Sequence, residues 1–108
     1  MLQIFRLQHL AVFNFSNNCA GDNFLTLMAR MMKRGKVPAL TKLLLSGNRL
    51  GDGGRNSGII NIWTELRDPI VAPCLNALDI SGRQGYRQAI SIPLDVALLR
   101  PELVLFSV

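Results

Sequence analysis

A phrase that recurs at a fixed interval constrains this chain more than any other feature. Leu40-Thr41-Lys42-Leu43-Leu44-Leu45-Ser46-Gly47-Asn48-Arg49-Leu50-Gly51-Asp52 has a counterpart 30 residues earlier in Leu10-Ala11-Val12-Phe13-Asn14-Phe15-Ser16-Asn17-Asn18-Cys19-Ala20-Gly21-Asp22. The two share apolar residues at four positions, counting Ala20 against Leu50, and Ser, Asn, Gly and Asp at four more. Self-similarity at a period of this length marks chains that stack one supersecondary unit on the next. Such an architecture predicts a binding mode but does not name a partner.

Each place in the phrase has a physical reading. Strand periodicity puts Leu43 and Leu45 on one side and Lys42, Leu44 and Ser46 on the other. Asn48, like Asn18 before it, falls where a side-chain amide can satisfy backbone groups of its own turn and the adjacent one, forming a structural ladder. Gly21-Asp22 and Gly51-Asp52 then suit a loop whose Asp caps a helix.

Beyond the first loop, Phe24, Leu27, Met28, Met31 and Met32 recur at helical spacing, and Gly35 with Pro38 supplies a stop. A second apolar set, Ile59, Ile60, Ile62, Trp63 and Leu66, runs to Arg67 before Asp68-Pro69, with Trp63 as its core anchor. A third phrase opens at Cys74. Leu75, Leu78, Ile80 and Ser81 take the places of Leu40, Leu43, Leu45 and Ser46, now 35 residues on, and Arg83 replaces the ladder Asn. Pro93 interrupts the apolar segment from Ala89 to Leu99 that follows. A fourth strand fits Pro101 to Phe106, with Leu103 and Leu105 in the places of Leu78 and Ile80.

The unit L-x-x-L-x-L-x-x-N-x-L-G-D with a helical second half resembles the leucine-rich repeat and is similar to its ribonuclease-inhibitor-type subclass. The resemblance covers about Leu7 to Phe106 and is strongest from Leu40 to Asp52. The chain departs from the pattern at Arg83, in the 35-residue spacing, and at Phe24, where the family usually has Gly or Ala. The resemblance implies an α/β solenoid with short parallel strands on a concave face and helices on a convex one. It implies a single domain over 1–108, with repeats at about 7–36, 37–71 and 72–99 and a partial one at 100–108.

It also implies a non-enzymatic protein-interaction module or scaffold, whose partner is another protein held on the concave face. By register that face carries Val12, Asn14 and Ser16; Lys42, Leu44 and Ser46; Ala77, Asp79 and Ser81; and Glu102, Val104 and Phe106.

Composition narrows the alternatives. Of 108 residues, 49% are apolar and 18% charged, which suits one globular domain rather than a disordered chain. Arg6, His9, Asn14, Arg30 and Lys42 keep every apolar run short of the roughly 20 residues a membrane-spanning helix needs. Met1 to Phe15 is apolar but lacks the basic start and small-x-small cleavage site of a secretory signal. Cys19 and Cys74 have no CxxC spacing and read as free thiols packed as small apolar groups, in a cytoplasmic or nuclear setting.

The net charge of +5 opens a second reading. Arg30, Lys33, Arg34 and Lys36 close a helix, where cations complement the macrodipole. With Arg6, Arg83 and Arg87 they could meet nucleic acid or an acidic surface on the convex side.

Catalytic and metal chemistry find little to work with. His9 is the lone histidine, so no nucleophile has a plausible base, and two distant cysteines with one His make no closed metal site. The glycine-rich stretch 51–58 matches neither phosphate-loop pattern. Tyr86 between Arg83 and Arg87 is the only local aromatic-basic grouping. The expectation is therefore no enzyme, no cofactor, no metal and no small-molecule substrate. The fourth strand, apolar on both faces with no helix after it, predicts self-association through its open edge.

Overall fold

The computed structural model of the protein describes residues 4–50, 58–82 and 90–107. After a 3-10 turn at Ile4–His9 the chain runs β1 (Val12–Asn14), α1 (Asp22–Lys33), β2 (Lys42–Leu44), α2 (Ile59–Leu66), β3 (Ala77–Asp79), α3 (Leu94–Leu99) and β4 (Val104–Phe106). The four strands form one parallel sheet in chain order. Parallel neighbours require a crossover between them, and a helix lies in each. The fold is mixed α/β.

The core follows from the two periodicities. Leu43, Leu45, Leu78 and Ile80 from the sheet join Leu25, Met28, Met32, Ile59, Ile62, Trp63 and Leu66 from the helices in one buried cluster. The helices thus cover one face of the sheet and leave the other open. Trp63 is buried in that cluster, as its helical spacing predicts.

In α1 the spacing rule needs a correction. Leu27, which the pattern assigns inward, is exposed, while Leu25 and Ala29 are buried. The buried stripe of α1 is rotated to bring Leu25 onto α2, where the Gly58 backbone approaches so closely that a Cβ there would lie 2.8 Å from Leu25 Cβ and 2.4 Å from the Asp22 carbonyl oxygen. Ile60 likewise faces solvent.

Asp22 is not a side-chain cap of α1. Gly21 is the N-cap, and the Asp22 carboxylate instead accepts a hydrogen bond from the Gly58 N–H at 2.9 Å, tying the start of α2 to the start of α1. The far end of α1 closes as predicted. Gly35 takes a φ of +68°, and Gly35 N–H and Lys36 N–H donate to the Met32 and Met31 carbonyls at 3.0 Å, the paired bonds of a Schellman stop. Pro93 starts α3 as its N-cap rather than merely interrupting the segment.

The same short turn precedes every strand. Leu10, Leu40, Leu75 and Leu103 each donate their N–H to the carbonyl three residues back, on Leu7, Val37, Ala72 and Arg100, at 3.1 to 3.2 Å. After three strands a left-handed residue also recurs, at Asn17, Gly47 and Gly82, with φ of 58°, 70° and 63°. These are the residue types that adopt that conformation at least cost.

The turn explains a register correction in β4. Leu105 pairs with Leu78 and Phe106 with Asp79, so Leu105 takes the place of Leu78 and not that of Ile80. Leu103 closes the preceding turn instead, and Glu102 lies outside the strand. A slip of two residues keeps every side chain on its own face, so alternation alone could not detect it.

Phe24 also has a structural reason. Its ring stacks on Phe15 at 4.8 Å between centroids and 8° between planes, and Phe13 lies 6.0 Å from both. The three half-buried rings cover the β1 end of the core, where Phe13 and Phe15 stand in the places of Leu43 and Leu45.

Candidate functional site

The open face of the sheet is organised in rows. Val12, Lys42, Ala77 and Val104 are aligned across the four strands, and Asn14, Leu44, Asp79 and Phe106 form the next row. Ser16, Ser46 and Ser81 follow just beyond the strands. The row members come from segments about 30 residues apart, and only the parallel pairing brings them together.

Their environments differ. Val104 and Phe106 are 50% and 52% exposed, Val12, Asn14 and Lys42 are also exposed, and Leu44 and Asp79 are half-buried. Ala77 is only 8% exposed. Its small side chain lies low between longer neighbours, so it serves as floor rather than as a contact that projects. Lys42, Asn76, Ala77, Glu102, Val104 and Phe106 line an open depression of about 380 Å³ there.

The serine row is internally bonded. Ser46 Oγ donates to Ser16 Oγ at 3.1 Å, Ser16 Oγ to the Leu44 carbonyl at 3.4 Å, and Ser81 Oγ to Asp79 Oδ1 at 2.6 Å. Asn14 and Asp79 each accept the N–H of the serine two residues on, at 3.1 and 2.9 Å. These bonds turn the chain out of the strand and leave little of the serine row free for a ligand.

Asn48 is fully buried and uses its amide completely. Its Oδ1 accepts from the Asn18 and Ala20 N–H groups at 2.8 and 2.9 Å, and its Nδ2 donates to the Phe15 and Leu45 carbonyls at 2.8 and 3.0 Å. Three of these four partners belong to the preceding turn. Asn18 differs from its counterpart: it is exposed and donates to the Ser16 carbonyl of its own turn at 2.9 Å.

The basic residues at the end of α1 are solvated. Arg30, Lys33 and Arg34 are exposed and Lys36 half-buried. His9 is exposed, as are Cys19 and Cys74, which are free thiols but not packed as small apolar groups. Both occupy loop positions whose side chains point away from the core. Arg83, Tyr86, Arg87, Gly51, Asp52 and the rest of 51–57 lie outside the described residues, as does the side chain of Arg6.

Arg100 is the residue that sequence reasoning missed. It is 8% exposed, and its guanidinium donates to the Leu66, Ala72 and Asp68 carbonyls at 2.8 Å and to the Val71 carbonyl. Leu66 ends α2, so the cation sits at the negative end of that helix. Burial pushes its pKa down from the ordinary arginine value, and Asp68 opposes the shift. The signal was present in the turn phrase: Val37-Pro38-Ala39-Leu40, Ala72-Pro73-Cys74-Leu75 and Arg100-Pro101-Glu102-Leu103 align, and Arg100 occupies a place that is otherwise apolar and buried.

An exposed ion pair, Arg67 Nε to Asp95 Oδ2 at 2.6 Å, links α2 to α3. The Arg67 bond holds the Asp95 carboxyl below its ordinary pKa. Among the described residues no group of three His, Cys, Asp or Glu side chains could hold a metal ion, and no helix is long and apolar enough to cross a membrane. No protein-family model, curated protein or solved structure matches the chain.

Proposed function

We propose that this chain is a non-enzymatic protein-interaction module of leucine-rich-repeat type, which binds a protein partner on the open face of its sheet. The observation that carries the reading is the pair of exposed rows across four parallel strands. They offer Val12, Val104 and Phe106 as apolar contact area among Lys42, Asn14 and Asp79. Apolar residues on an exposed face, interspersed with polar ones, are what a protein interface requires. The repeat assignment draws support from the recurring turn before each strand, the left-handed residue after three of them, and the use Asn48 makes of the preceding turn.

Among the described residues β4 pairs on one side only, with β3, and carries exposed Val104 and Phe106 on the open face, which supports self-association as a secondary property. Replacing both residues by Lys should lower the mass measured in solution if β4 pairs with another copy. Free thiols at both exposed cysteines suit a reducing compartment, consistent with a cytoplasmic setting.

The test compares the wild-type chain with Lys42→Glu/Leu44→Asp as baits in parallel. Partners that bind the wild type and are lost by a variant with an unchanged melting curve support the reading. Equal retention by both baits overturns it. Binding that collapses as salt rises, and that Arg30, Lys33 and Arg34 substitutions abolish, would favour the nucleic-acid or acidic-surface reading.

A further inference from the structure

We infer that the depression over Ala77 is an anchor pocket for one bulky apolar side chain of an extended peptide, flanked in that peptide by an acidic residue towards β2 and a basic residue towards β4. The inference rests on the open sheet face being the binding surface and specifies what that face selects.

The floor comes from Ala77. Its row neighbours, Lys42 on β2 and Val104 on β4, stand about 4.8 Å to either side at the strand spacing of a sheet. Their longer side chains rise above its single methyl. Phe106 closes the end towards the carboxyl termini of the strands, and Asn76 and Glu102 close the other. The result is a hollow of about 380 Å³, apolar at its floor and on the β4 side, and open to solvent above. An open hollow of this kind suits a projecting side chain better than an enclosed small molecule.

The rim supplies the polarity. Among the described residues neither the Lys42 ammonium nor the Glu102 carboxylate has a hydrogen bond or ion pair. Asp79, by contrast, is already engaged by Ser81. One unengaged cation on the β2 side and one unengaged anion at the corner just before β4 therefore stand diagonally across the hollow. A peptide crossing the strands with the order acidic, bulky apolar, basic from β2 to β4 satisfies both while burying its central side chain. The reverse order places like charges together on both sides, which suppresses binding.

Panning a displayed library of random linear peptides on the intact chain tests this directly. The expected enrichment is a bulky apolar residue flanked by an acid on one side and a base on the other. A synthetic peptide of that sequence should bind Ala77→Leu, whose added side chain fills the hollow, at least about tenfold more weakly, as is typical for loss of an anchor. The exchange Lys42→Glu/Glu102→Lys uses exposed positions that leave the fold intact, and it should favour the peptide with its two charged residues exchanged.

Several results overturn the inference: no enrichment, enrichment without a bulky apolar residue, or binding indifferent to both variants while their melting curves match the wild type. Peptides indifferent to these variants but lost on Val12→Arg/Asn14→Arg would remove the pocket and keep the open face as the binding surface. Peptides indifferent to every substitution on that face would remove both.

Discussion

Asn48 and Arg100 do the same structural work at opposite ends of the molecule by different chemistry. Each is buried and makes four hydrogen bonds to backbone groups around it. Asn48 is neutral, and its amide matches two donors and two acceptors at no cost in charge. Arg100 can only donate, so its site consists of four carbonyls at and beyond the end of α2; those of Asp68 and Ala72 also accept backbone N–H groups, from Val71 and Leu75, while those of Leu66 and Val71 rely on the guanidinium. The first joins consecutive strand turns; the second joins the turn before β4 to the exit of α2. A neutral amide suits a place that every turn can repeat, whereas a buried guanidinium suits a single junction where carbonyls converge and a helix end favours a cation.

The contrast is open to direct attack. The largest effect is expected at Arg100. Arg100→Ala removes four hydrogen bonds, leaves the Leu66 and Val71 carbonyls unpaired and opens a void, and should cost about 3 kcal/mol or more in urea unfolding. Arg100→Met keeps most of the stem's packing and removes only the donors, so it should cost less. A Met variant as stable as the wild type would mean that desolvation of the guanidinium cancels its bonds, and the equivalence between the two residues would break.

Next comes Asn48→Ala, expected to lower stability by about 1–3 kcal/mol through unpaired backbone groups in two turns. Because Asn48 and Arg100 share no partner, the double variant should show additive losses to within about 0.5 kcal/mol. Strong coupling in that cycle would show that the two ends do not act independently.

Gly58→Ala probes the contact between α1 and α2 without touching either polar group. The new Cβ would meet the Asp22 carbonyl oxygen and Leu25 Cβ inside van der Waals distance, and a loss of about 1–3 kcal/mol is expected in thermal unfolding. A neutral outcome would mean that α2 shifts freely on α1, which the Asp22 bond to the Gly58 N–H argues against.

The smallest effect belongs to the surface pair. The Asp95 carboxyl is depressed by Arg67, so its contribution is present above the unfolded carboxylate pKa and is lost as pH falls through the lower folded value. Asp95→Asn should therefore differ slightly in Tm from the wild type near neutrality. That difference should close in acid and shrink in high salt.

How much of this was legible from residues alone depends on the range of the interaction. The strand alternation at Leu43 and Leu45, the extent of α2, the stop at Gly35 and the burial of Trp63 follow from local periods and local backbone preferences, which neighbouring residues specify by themselves. The open-face positions Lys42, Leu44 and Val104 follow from the same alternation, because a strand with one side in the core must turn the other outward. Asn48 was legible because its place follows a recognisable strand phrase.

Other features depended on groups distant in sequence. Leu27 and Leu25 could exchange inward and outward roles within one apolar pattern, and only the approach of Gly58 decides between them. The register of β4 is invisible to a period of two; it is set by the turn at Arg100-Pro101. Ala77 becomes a floor only when Lys42 and Val104 rise on either side. Arg100 reads as a surface cation until α2 ends beside it and presents its carbonyls, since a charge can be buried only where the folded chain has already assembled its partners.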